Sequence, residues 1–405
     1  MTSKISNEYI AKIEGHGTLD IDWNKNTVKM NTHEGERLFE GILVGRSSEE
    51  VHWITPRICG VCPIAHNLSS LGAIEDAYGI QITETAKLLR DLMVVAQMIQ
   101  SHVLHLFFLV SPDYMGIDRG TELAQKNPVA FAKALSLKEL GDNIATIVAG
   151  RNVHPTRTTV GGFHKIPTKE ELLKLQENLK ATQEAAKWTA DLFAGIKYPE
   201  LKVELDLVAI KGDKIISSVG GETSVADYKK NIEEELRSYS TAKFGKFQER
   251  EMMVGSLARL AINGAGCEGV GSEMSKLDFQ NPFHNNLAQA IEVFTYHQKG
   301  LKLIEHLLGM EMSDEIIGRS ESATLKGIGH IEAPRGGLYN EIYLDKNDDV
   351  IYANIITPTV QNLTSMEKSA KALLEQYADK SKEEKVRLME MMIRAYDPCI
   401  TCSVH

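Results

Sequence analysis

The chain has 405 residues, of which 43% are hydrophobic and 25% charged, and a formal net charge of −10. That composition suits a globular protein with a large buried core. The acidic balance, without any lysine- or arginine-rich run, argues against nucleic-acid binding, and five cysteines in so long a chain do not make a disulfide scaffold.

Residues 1–17 contain no apolar signal-peptide core, which predicts a cytoplasmic location. Residues 9–33 read as a hairpin. Ile13, Leu19, Ile21 and Val28 are apolar among polar neighbours, and Trp23 to Asn26 supply the turn. Short helical turns follow from Gly35 to Cys62. The longest apolar stretch is Leu92 to Val110. A membrane span needs about 20 mainly apolar residues, and Gln97, Gln100, Ser101, His102 and His105 interrupt this one. It reads as part of a buried helix over 83–110, so no transmembrane segment is expected.

A charged, amphipathic helix is predicted over 168–195, opened by a capping box of Thr168 and Glu171. Two further hairpins are predicted at 203–219 and 339–356, folding at Gly212-Asp213 and Asn347-Asp348. Helices at 285–308, 362–378 and 381–395 complete the pattern. The expected fold is α+β, mainly α, with long central helices and small peripheral antiparallel sheets. No repeat, low-complexity tract or linker divides it. One domain over 1–405 is expected, with an N-terminal part (1–70), a helical body (71–330) and a C-terminal part (331–405).

Four of the cysteines form two Cys-x-x-Cys pairs near opposite ends: Cys59 and Cys62, then Cys399 and Cys402. Each pair is followed by a histidine, His66 and His405. Cys267 stands apart and reads as a packing residue. Neither pair lies in the βαβ context of a thioredoxin-like dithiol. Four thiolates could hold structural zinc, an iron–sulfur cluster, or another redox metal such as nickel, iron or copper. If one centre uses four cysteines, too few remain for a second, so electrons would have to pass to another chain. The chain has no Gly-x-Gly-x-x-Gly motif of its own.

The segments RICGVCPIAH (57–66) and DPCITCSVH (397–405) resemble those of the large, catalytic subunit of nickel–iron hydrogenases. So do KIEGHG (12–17), LFEGILVGR (38–46), SHVLHLFFLVSPDY (101–114), RNVHP (151–155), EAPRGGL (332–338) and IITPT (355–359). The resemblance thus spans essentially the whole chain. The wording is most similar to the cytoplasmic, heteromultimeric branch that is often linked to NAD(P).

The resemblance implies reversible heterolytic cleavage of H2 at a nickel–iron centre whose iron carries carbon monoxide and two cyanides. Cys59 and Cys399 would be terminal on nickel, and Cys62 and Cys402 would bridge to iron. Cys399 would be the first proton acceptor and Glu14 the relay. Arg335 would face the open metal position, oriented by Asp113. Pro334 and Thr359 would contact the diatomic ligands, and His66 would donate to the sulfur of Cys62. Glu40, His405 and the carbonyl of Ile355 would hold a magnesium-like ion. His102, His105 and His154 would be core or supporting hydrogen-bonding residues. The implied partners are an iron–sulfur small subunit and, beyond it, flavin- and NAD(P)-binding subunits. No iron–sulfur cluster is expected in this chain. A ferredoxin link is the alternative to NAD(P), and a hydrogen-sensing or non-catalytic relative and a zinc-stabilised scaffold are the competing readings.

Overall fold

The long helices begin on side chains suited to capping them. In the computed structural model, which describes residues 5–405, Thr83 caps Glu84–Leu104 and Asn127 caps Pro128–Ala149. Thr168 and Ser381 open Lys169–Ala194 and Lys382–Ala395 with complete capping boxes. Glu84–Leu104 packs against Pro128–Ala149 and Asn285–Gly309, and Lys169–Ala194 closes the bundle against both of these.

Beyond Leu104 the helix widens into a π-turn, His105–Val110, before the short helix Ser111–Met115. The combined run Glu84–Met115 is long and apolar enough to cross a membrane, yet 78% of its most apolar window is buried within the protein. Two of its buried polar side chains are held by protein partners: Gln97 donates to Val61 O at 2.6 Å, and His102 meets Glu292 at 2.9 Å.

The expected hairpins form. Gly17–Asp22 and Thr27–Thr32 pair antiparallel, and Ile5–Tyr9 adds a third strand. Asp206–Lys211 and Lys214–Ser217 pair around Gly212, with Met252–Met253 added parallel at the edge. The third sheet, Lys326–Ala333, Gly336–Leu344 and Val350–Ile356, lies inside the protein, and its middle strand is buried along nearly its whole length.

Helix Pro63–Tyr78 lies directly on this third sheet. A Cβ at Gly327 would stand 2.0 Å from Ala73 O, and one at Gly329 would stand 1.9 Å from Ser69 O. Only glycine permits that approach. The main apolar core runs in sequence from Ile10 to Val404. A second apolar cluster, including Val51, Ile58, Leu338 and Ile355, surrounds the four paired cysteines.

Candidate metal centre

Each cysteine sits at a helix boundary. Cys59 follows the tight turn Thr55–Ile58, and Cys62 is the N-cap of Pro63–Tyr78. Cys399 is the N-cap of the short helix Ile400–Ser403, which carries Cys402. Backbone bonds lay the tail along the N-terminal segments: Ile400 N donates to Glu14 O at 3.0 Å, and Arg37 N to Val404 O at 2.9 Å. The Arg37 guanidinium joins the two cysteine segments, donating from Nη2 to Ile58 O at 2.7 Å and to Thr401 O.

The four sulfurs lie within 4.8 Å of one another. Cys59 and Cys399 are 3.4 Å apart, Cys62 and Cys402 3.5 Å, and Cys399 and Cys402 3.0 Å. All four residues are buried. Hydrogen bonding from Cys399 holds Cys59 well below the usual thiol range, while burial pushes Cys402 well above it. Four buried thiols crowded this closely cannot all ionise unless a cation compensates them. A soft divalent metal fits that donor set.

Glu14 is positioned against this cluster. Its Oε2 lies 3.0 Å from Cys399 Sγ and accepts from Thr401 N at 3.1 Å, and its Oε1 accepts from the Thr401 hydroxyl. Burial, reinforced by the charge on Cys399, raises its pKa to about 8.

Arg335 is 5% exposed. Its Nε donates to Asp397 O at 2.6 Å and its Nη2 to Asp397 Oδ1 at 2.8 Å. Its Nη1 is buried without a hydrogen-bond partner. Burial opposes its charge, but Asp397 and the neighbouring thiolates outweigh that and keep the guanidinium protonated.

Two expected pairings differ. Asp113 does not orient Arg335. Its carboxylate accepts from Arg394 Nε and Nη2 at 2.7 and 2.9 Å and from Lys12 at 3.0 Å. It follows the π-turn and faces helix Lys382–Ala395, so it anchors that helix, and the carboxylate on Arg335 comes from Asp397, two residues before Cys399. His66 meets the sulfur of Cys402, at 3.6 Å, rather than that of Cys62. It sits one turn into the helix that Cys62 caps, so its ring leans over the N-terminus and reaches the tail sulfur. Burial lowers its pKa to about 3, so it remains neutral.

The other expected residues come together. Thr359 Oγ1 accepts from Cys399 N at 2.9 Å, and Pro334 adjoins Arg335. His405 places Nδ1 2.7 Å from Cys402 O and Nε2 2.6 Å from Ile355 O. Glu40 Oε1 accepts from Ile355 N at 2.8 Å. Asp397, Thr401 and Arg37 escaped the sequence reading, although Asp397 and Thr401 lie within the second cysteine motif. Cys267 is half-buried beside Thr295 and away from the centre.

Sequence comparison agrees with this geometry. The family model described as nickel-dependent hydrogenase matches residues 37–143 and 206–405. The chain belongs to that family, as the large subunit of an oxidoreductase acting on H2. It is 35% identical to sulfhydrogenase 1 subunit alpha of Pyrococcus furiosus, over 99% of this chain and 97% of that one. It is 26% identical to the NAD-reducing hydrogenase HoxS subunit beta of Cupriavidus necator, over 100% of this chain and 95% of that one. Its fold matches a solved NAD+-reducing [NiFe]-hydrogenase in the H2-reduced state with a TM-score of 0.86 at 23% identity, covering 98% of each chain.

Proposed function

We propose that this hydrogenase subunit holds a nickel–iron centre with carbon monoxide and two cyanides on the iron, beside a magnesium-like ion. We further propose that it delivers electrons through an iron–sulfur small subunit to flavin- and NAD(P)-binding subunits in the cytoplasm. The observation that carries the reading is the buried four-sulfur cluster, with a carboxyl group on one sulfur and an unpartnered guanidinium nitrogen beside it.

Cys59, Cys62, Cys399 and Cys402 would hold nickel, with Cys62 and Cys402 shared with iron. When bound, that centre supplies the two-electron chemistry that splits H2 heterolytically. The protein handles the proton. Cys399 Sγ takes it and passes it across 3.0 Å to Glu14 Oε2. A carboxyl group with a pKa of about 8 both accepts and releases protons near neutral pH. Arg335, fixed by Asp397, presents a permanent positive charge to the reacting position. Thr359 Oγ1 spends a lone pair on Cys399 N, which leaves its hydrogen free to donate to a cyanide, and Pro334 offers an apolar ring with no N–H.

The second ion rests on His405. Both of its ring nitrogens face carbonyl oxygens at hydrogen-bond distance, and a cation beside Nε2 and Ile355 O would take the place of one of those contacts. Glu40 lies alongside, and Glu234, which shares Lys243 with it, has a buried Oε1 without a partner. Oxygen donors with retained waters suit magnesium.

Electron transfer to other chains follows from cysteine number, since only Cys267 remains for any further cluster. The NAD-linked relative supports the pyridine-nucleotide end of the path. Nickel and iron analysis of the purified complex, with infrared bands from metal-bound carbon monoxide and cyanide and H2-dependent reduction of NAD(P), tests the reading. Zinc alone without those bands would refute it.

A further inference from the structure

The Ala333-Pro334-Arg335 turn must hold a guanidinium beside four sulfurs, and it is held from behind by a second arginine. Arg259, on helix Ser256–Asn263, is 4% exposed. Its Nη1 donates to Ala333 O and its Nη2 to Pro334 O, each at 2.8 Å. These are the two carbonyls immediately before Arg335.

The rest of the fork is occupied as well. Glu292 takes Nε and Nη2, both at 2.7 Å, Glu332 takes Nη1 at 2.9 Å, and Ser256 Oγ lies 3.1 Å from Nη2. His102 Nε2 lies 2.9 Å from Glu292 Oε2 and fixes that carboxylate in turn. Gly255 lets the backbone close on the same turn: a Cβ there would stand 3.3 Å from Arg335 O.

We propose that Arg259 is a positioning residue for the hydrogen chemistry, setting the turn that presents Arg335 Nη1 and the Pro334 ring to the thiolate site. This rests on the hydrogenase reading above. A buried ion pair is a poor source of stability compared with apolar packing of the same volume, so stability alone gives little reason for one here. Its directional fork does what packing cannot: it fixes two consecutive carbonyls against a rigid carboxylate. Lysine, a point charge on a flexible stem, cannot reproduce that geometry.

The test compares the wild-type complex with R259K, R335K and the double variant. R259K should keep its nickel and iron while losing roughly 10–100-fold in kcat for H2 oxidation, as loss of a supporting partner does at metal sites. Its infrared bands from the diatomic ligands should shift as the Pro334 ring moves. The double variant should be no slower than R335K, because Arg259 acts through Arg335. Wild-type kcat in R259K, or losses that multiply in the double variant, overturn the proposal.

If R259K does not accumulate, E292Q loosens the fork without removing it, and unchanged kcat and unchanged bands there overturn the proposal equally. A crystal structure of metal-free R259K gives a readout independent of activity. A displaced Arg335 guanidinium supports the assignment, and an unmoved turn overturns it. A wild-type complex without nickel or H2 turnover would refute the hydrogenase reading, and the metal-free structure would still decide whether Arg259 sets the turn.

Discussion

Arg335 and Asp397 form a buried two-point pair, with Nε on the Asp397 carbonyl and Nη2 on its carboxylate. The site guanidinium is therefore oriented by the same tail segment that supplies Cys399 and Cys402. Asp397 and Asp113 should separate cleanly by mutation. D397N should leave nickel content intact and lower kcat by about a hundredfold, the scale of a small misplacement at a reacting centre. D113A removes one partner of a buried pair and should cost roughly 3–5 kcal/mol of stability, with kcat per nickel changed only a few-fold. Denaturant unfolding and H2-uptake assays on both variants decide it, and the reverse pattern would restore Asp113 as the orienting carboxylate.

That exchange marks where the sequence was legible. The cysteine pairs, the helix opened by Thr168 and the hairpins follow local spacing, and they appear where expected; helices Pro63–Tyr78 and Pro128–Ala149 were not read from the sequence. Which acid meets Arg335 is set by the packing of the tail, and local spacing is blind to it. His66 shows the same limit: proximity in sequence pointed to Cys62, while the helix N-terminus turns the ring toward Cys402. Arg259 lies outside the short motifs legible in the sequence and shows its purpose only through the carbonyls it binds. The glycine spacing at Gly327 and Gly329 was a usable sign that the third sheet lies inside, because glycines within a strand mark close backbone approach.

In the proposed proton path Glu14 is the first carboxyl group, 3.0 Å from Cys399 Sγ. E14Q keeps the shape and a partner for Thr401 but cannot ionise, so turnover should fall by roughly 10²–10⁴-fold with nickel content unchanged. E14D should recover part of it. A fully active E14Q would place the relay elsewhere.

Glu14 also gives metal-free protein a pH signature. Its folded pKa, about 8, lies above the ordinary 4.5. Below pH 4.5 both folded and unfolded forms are protonated and the group is silent. Between there and about 8 the unfolded chain ionises while the folded one does not. Stability therefore falls as pH rises, by at most about 1.4 kcal/mol per pH unit. Denaturant titrations of metal-free wild type and E14Q should diverge across that window, with E14Q becoming progressively the more stable. Parallel curves would contradict the raised pKa.

His405 should govern the proposed second ion. H405A removes the imidazole between Cys402 O and Ile355 O, and divalent-ion affinity should drop by roughly 10–100-fold. Magnesium content by elemental analysis checks this, and content equal to wild type would show that the ion, if present, is held by other groups.

The sulfurs of Cys59 and Cys399 touch across 340 residues of sequence. Until the tail docks, the protein offers only half a coordination set, and two thiolates alone grip a metal loosely. Once Arg37 has bound both Ile58 O and Thr401 O, the set is complete and shut away from solvent. Completing the four-sulfur set and burying the C-terminal segment are thus one and the same folding event.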